Sequence, residues 1–205
     1  MMKDYIYEYE YDNRYCYTDS KVLKNKLNIK DAGTLEEAER KITSLLAMEA
    51  TQKGIRGKFD FNHLKRVHKF LLGDIYDWAG KIRLVNISKG NQFCRVEFIE
   101  QQMQEIFEKL KQENYLRNIK KHDGLAKSLA YYFGEINAIH PFREGNGRTQ
   151  RLFLQLLCDS LGYELDFMKI SEKEMLEASD KSFNLDYQLL EELMNRALTH
   201  KAGIE

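Results

Sequence analysis

The 205-residue chain reads as an all-α, mainly helical protein, and three observations say so. It contains a single proline, its apolar residues recur at helical spacing in most segments, and only the stretch between Gly80 and Glu97 breaks that period. Proline removes a backbone donor and clashes with the preceding turn, so a chain that avoids it can run long helices. Hydrophobic residues make up 43% and charged residues 31%. A chain of this length is expected to bury roughly 70% of its unfolded surface, enough for a real core.

The elements follow in order. Thr34 and Glu37 form a capping-box pattern ahead of Leu35, Ala38, Ile42, Leu45 and Leu46, and Asp60 can cap a helix carrying Phe61, Leu64, Val67 and Leu71. In RLVNISKGNQFCRVE, Gly90 and Asn91 sit between two short arms, which predicts a small β-hairpin. Further helices are predicted through Met103, Ile106, Phe107 and Leu110, through Leu125, Leu129, Tyr132, Phe133 and Ile136, and through Leu152, Phe153, Leu156 and Leu157. Ser171 with Glu174, and Asp186 ahead of Leu189, Leu190 and Leu193, begin two more. No repeat, low-complexity tract or proline- or glycine-rich linker marks a domain boundary.

Bulk charge limits the function classes. Lysine and arginine number 32, as do aspartate and glutamate, so no overall field draws the chain to nucleic acid or to an acidic membrane. Any anion binding is local. Cys16, Cys94 and Cys158 are too scattered for a disulfide framework or a zinc site, which fits a reducing compartment. The opening MMKDYIYEYEYDNRY has charges in every apolar run, and no stretch approaches the roughly 20 apolar residues a membrane helix needs. A soluble, cytoplasmic protein is the expectation.

The sole proline, Pro141, stands in AIHPFREGNGRTQR, where it ends one helix near Ile139 before another begins near Arg148. Gly145, Asn146 and Gly147 can adopt positive φ and aim successive N–H groups inward, and the following helix adds its positive end, so the loop can cradle a diphosphate. Glu144 beside it suits Mg²⁺, which uses one or two carboxylates with phosphate oxygens and water. Arg148 and Arg151 share a helix face and can reach phosphate oxygens. His140 stands at the entrance, and an imidazole with its ordinary pKa near 6.5 can accept a proton from an attacking hydroxyl. Each part alone has an ordinary explanation: a capping histidine, a solvated ion pair, a turn. Their coincidence within twelve residues is what argues for chemistry.

HPFREGNGRTQR resembles the signature of Fic-domain proteins, HPFx(D/E)GNGRxxR, with every signature position filled. DIYDWAGKIR and ISKGNQF upstream, and GYELDF and ASDKSFNLDY downstream, are also similar to the family, over roughly residues 20 to 198. The resemblance implies one Fic domain over residues 1–205 with an N-terminal extension 1–19: a helical bundle around the signature loop with a single hairpin flap. It implies a protein adenylyltransferase in which His140 deprotonates a tyrosine, serine or threonine hydroxyl of a target protein, and that hydroxyl attacks the α-phosphate of ATP. By the same likeness Phe142 anchors the loop, Glu144 ligates Mg²⁺, Gly145, Asn146 and Gly147 hold the α- and β-phosphates, and Arg148 and Arg151 grip the outer ones. The adenine pocket is expected around Met175 to Phe183. Ser88, Lys89, Gly90, Asn91 and Phe93 form a flap whose edge can pair with an extended target segment, with Lys89 and Phe93 clamping the target or covering the nucleotide, although an ordinary connecting hairpin reads the same way.

One departure matters. Many Fic proteins carry an inhibitory (S/T)xxxE(G/N) helix, and Ser160 to Glu164 has the spacing but is followed by Leu165. The resemblance therefore points to the class restrained by a separate antitoxin whose glutamate meets Arg151. A related phosphotransferase and a silent binding module compete; Gly147 argues against the first, since the kinase-like members have lysine there, and the complete signature against the second.

Overall fold

A computed structural model describes residues 14–201. Most of the Tyr-rich N-terminal extension therefore lies outside the described residues. Its last part does not: Tyr15 and Cys16 are buried, and Cys16 bridges to Leu23.

The described residues form seven α-helices: α1 (Ala32–Lys53), α2 (Phe61–Leu72), α3 (Ile99–Gln112), α4 (His122–Ile139), α5 (Asn146–Ser160), α6 (Glu172–Ser182) and α7 (Gln188–Ala197). Between α2 and α3 lies the hairpin, β1 (Ser88–Lys89) against β2 (Asn91–Gln92), and β3 (Tyr163–Leu165) pairs antiparallel with β4 (Leu198–His200). That second two-stranded sheet was not foreseen. Three residues per strand are too few for an alternation signal, and the partners lie at opposite ends of the α5–α7 segment.

α4 is the centre of the bundle. Leu125, Leu129, Tyr132, Phe133, Ile136 and Ile139 are buried along it, and it packs against α3, α5, α6 and α7. α5 packs on α2 and α4, and α1 lies across α2 and α5. The predicted caps hold at Asp60 and at Ser171 with Glu174, where the full capping box forms. At α1 the cap moves: Asp31, not Thr34, accepts from the Thr34 N–H, so the helix starts earlier than the Thr34–Glu37 pattern implied. The hairpin register also differs, because Asn91 pairs with Lys89 and Gly90 alone makes the turn at φ 74°.

Candidate active site

The signature loop joins the two central helices. His140 closes α4 in the left-handed conformation, φ 51°, with its N–H on Ile136 O. Gly145 then turns the chain at φ 78° into α5. Two constraints require glycine there: the positive φ, and the space, since a Cβ would sit 2.2 Å from Leu72 Cδ1. Asn146 and Gly147 do not share that conformation; they are already the first residues of α5, which begins before Arg148. The reason is the Asn146 carboxamide. It accepts from Phe142 N–H and donates to Phe142 O, both at 2.8 Å, clamping the loop so tightly that the helix starts at once. What Asn146 and Gly147 present forward is therefore main-chain N–H, at the positive end of a 15-residue helix. The Gly145 N–H instead goes to Glu144 Oε1 at 2.8 Å.

Residues far away in sequence hold this loop from behind. Phe142, 1% exposed, stacks on the His68 ring at 3.9 Å. His68 Nδ1 accepts from Gly80 N–H, so its Nε2–H donates to Glu144 O at 2.9 Å. Burial pushes the His68 pKa down to about 4, so the ring is neutral and the tautomer fixed. Arg83, fully buried, donates to His140 O at 2.8 Å, to Val85 O at 2.6 Å, and to Ile139 O and Cys94 O. Burial lowers its pKa to about 10, and the guanidinium keeps its charge at neutral pH, where it meets the negative end of α4. One side chain thus ties the carbonyl of His140 to both roots of the flap.

The ring of His140 is 7% exposed and oriented on both sides. Its Nδ1 lies 3.2 Å from Asn137 O and donates there, which makes Nε2 the acceptor of the neutral ring. Phe93 stacks over it at 3.8 Å, and Phe183 leans on Phe93 at 5.6 Å. Phe93 is therefore packed inward on His140, while the flap tip is latched across the opening by Asn91 Nδ2 to Asp180 Oδ1, 2.8 Å.

A cavity of about 820 Å³ opens beneath the flap, lined by Asn91, Phe93, His140, Gly147, Arg151, Met175 and Phe183 among the predicted residues. Glu144 and Arg148 face a second cavity, of about 880 Å³, between α1 and α5. Arg151 and Arg40 line both and mark the junction. The two signature arginines are therefore in different states. Arg148 Nη2 lies 2.5 Å from Glu39 Oε2 and 3.4 Å from Glu144 Oε1. Burial opposes its charge, but the two carboxylates overcome that and raise its pKa. Arg151 has no carboxylate within 4 Å among the described residues, and burial and Arg148 both lower its pKa. Its guanidinium folds back over the start of α5, where a Cβ on Gly147 would come 3.4 Å from Nη1. No three His, Cys, Asp or Glu side chains among the described residues gather into a metal cage. One carboxylate beside an amide nest fits Mg²⁺, which draws its other ligands from phosphates and water.

The Fic/DOC family profile matches residues 58–158. "Probable protein adenylyltransferase y4lH" of Sinorhizobium fredii is 40% identical over 172 residues, 83% of this chain and 88% of that protein. The chain belongs to the Fic/DOC family. Protein adenylyltransferase VbhT of Bartonella schoenbuchensis is 41% identical over 186 residues, which cover 89% of this chain but only 39% of VbhT. Among solved structures, the N-terminal Fic domain of a Bartonella quintana protein with bound ADP superposes with a TM-score of 0.88 at 27% identity, covering 93% of this chain and 97% of that one. Among the described residues, no helix of this Fic protein is long and apolar enough to cross a membrane.

The site of this Fic protein includes residues that sequence reasoning passed over. His68, which no local pattern singled out, braces the loop; Arg83 and Glu39 were given no role, because nothing local distinguishes a loop arginine or a helical glutamate from surface charge. Gln150 was equally silent: it is 2% exposed on the cavity wall, and its Oε1 has no hydrogen-bond partner among the described residues.

Proposed function

We propose that this chain is a protein adenylyltransferase working as one Fic domain. The observation that carries the reading is the placement around one cavity of an oriented imidazole, a helix-N-terminal amide nest and an arginine with no carboxylate within 4 Å among the described residues. ATP lies with its α- and β-phosphates at the Asn146 and Gly147 N–H groups and its outer phosphate at Arg151, while Met175 and Phe183 flank the adenine. His140 Nε2 takes the proton of a target tyrosine, serine or threonine hydroxyl; that oxygen bonds to the α-phosphorus, the bond from the α-phosphorus to the bridging oxygen breaks, and pyrophosphate leaves. Mg²⁺, held by Glu144, neutralises phosphate charge when bound. The protein supplies position and electrostatics rather than covalent chemistry, as phosphoryl and nucleotidyl transfer demand.

An extended target segment pairs with the flap edge at Ser88 to Asn91. The reaction belongs in the cytoplasm, where ATP is abundant. A separate antitoxin places a glutamate on Arg151, the signature guanidinium that no carboxylate of the described chain occupies; overexpression alone then slows growth, and full growth without a partner counts against this. The chemistry is tested by incubating the chain with ATP labelled at the α-phosphorus and with cell extract, followed by mass analysis of labelled proteins. Added AMP supports the reading, added phosphate makes the chain a phosphotransferase, and no modification leaves a binding module.

A further inference from the structure

Arg148 stands between two carboxylates, and the distances are unequal: 2.5 Å to Glu39 and 3.4 Å to Glu144. Glu39 comes from α1, 109 residues away in sequence. It is 7% exposed and accepts the Tyr76 O–H as well. Arg148 Nη1 reaches Thr43 Oγ1 at 3.5 Å, one turn further along α1, so α1 takes the larger share of the guanidinium. Glu144 keeps a weaker share, and its Oε2 has no hydrogen bond among the described residues. With two carboxylates and one guanidinium, the group carries a net negative charge beside the amide nest. Without the Glu39 charge, Glu144 is the one carboxylate among the described residues left within ion-pair reach of Arg148, and closing that pair cancels the charge a divalent cation needs.

We propose that Glu39 is a positioning residue: by engaging the Arg148 guanidinium it keeps that group from closing on the Glu144 carboxylate, which stays available to a divalent cation bound with the nucleotide phosphates. The inference rests on the adenylyl-transfer reading for the identity of the ligand. It also divides the two arginines, with Arg148 an internal strut and Arg151 the arm that meets the nucleotide.

The test measures affinity for α,β-methylene-ATP, which cannot be split at the required bond, with and without Mn²⁺, in the wild-type chain and in Glu39→Gln, which keeps the shape and loses the charge. The gain in affinity on adding Mn²⁺ is expected to fall roughly tenfold in Glu39→Gln, as when an outer-shell partner of a metal ligand is removed. In the Glu39→Gln/Arg148→Gln double variant no guanidinium remains to cancel Glu144, and the Mn²⁺ gain is expected to recover. An unchanged or larger gain in Glu39→Gln overturns the inference, as does a double variant no better than the single one. Should Glu39→Gln not fold, Arg148→Gln and the double variant carry the test: with the guanidinium gone the Glu39 charge no longer matters and the two agree, whereas a tenfold difference between them overturns the inference. Failure of the wild-type chain to bind the analogue overturns the adenylyl-transfer reading as well; a failure confined to the Glu39 comparison leaves that reading standing.

Discussion

The back and the front of the signature loop are built differently. Behind it, Arg83, His68 and Phe142 are buried, and they fix the carbonyls of His140 and Glu144 through hydrogen bonds from buried side chains and through ring stacking. In front, the flap has two-residue strands, and its tip is latched by one exposed hydrogen bond, Asn91 to Asp180. A buried bond left half-made is costly, whereas an exposed one exchanges readily with water. The difference separates two tasks: the conformation of the loop is held by buried contacts, and the flap over it opens at small cost.

His140 lies between the two regions, and its removal sharpens the comparison most. In His140→Ala, transfer to target is expected to fall by about 10² to 10⁴ while ATP binding persists, since the amide nest and Arg151 remain. Undiminished labelling by that variant removes the mechanism. Arg83→Met tests the back directly. It leaves several buried carbonyls without a donor, at ~1–3 kcal/mol each, so denaturant unfolding is expected to show a loss of about 3 kcal/mol or more. A loss under 1 kcal/mol breaks the idea that the loop is held from behind.

His68 gives the back a pH signature. Its folded pKa, about 4, lies below the ordinary value of 6.5, so between those values the unfolded chain binds a proton that the folded chain refuses. Stability is therefore fully present above pH 6.5 and declines as pH falls toward 4, by up to about 3 kcal/mol from this residue. Burial lowers the pKa of His63 too, so the measurement is the difference in unfolding free energy between wild type and His68→Gln across that window. Parallel pH profiles count against a neutral, buried His68. The smallest effect belongs to the front: Asn91→Ala is expected to change stability by less than about 0.5 kcal/mol and labelling rate only a few-fold, because its hydrogen bond is exposed. A stability loss as large as that of Arg83→Met erases the distinction between the two regions.

Helical periodicity and caps such as Asp60 and Ser171 were legible because each depends on neighbours within one turn. The signature loop was legible for the same reason: His140, Glu144, Gly145, Asn146, Gly147, Arg148 and Arg151 all lie within twelve residues. Even there, local reasoning over-read Asn146 and Gly147 as turn residues, since the Asn146 carboxamide closes on Phe142 and starts the helix early. The β3–β4 sheet, with partners some 35 residues apart, left no local pattern to read.

The sequence by itself determined a mostly helical chain and a tight loop leading into a helix N-terminus, because backbone conformation follows from local residue types. Only the tertiary structure decided that the two signature arginines part company, Arg148 toward Glu39 on α1 and Arg151 toward the cavity, and that Arg83 and His68 brace the loop. A charge acquires its role from the partner brought beside it, and such partners lie up to about a hundred residues away along the chain.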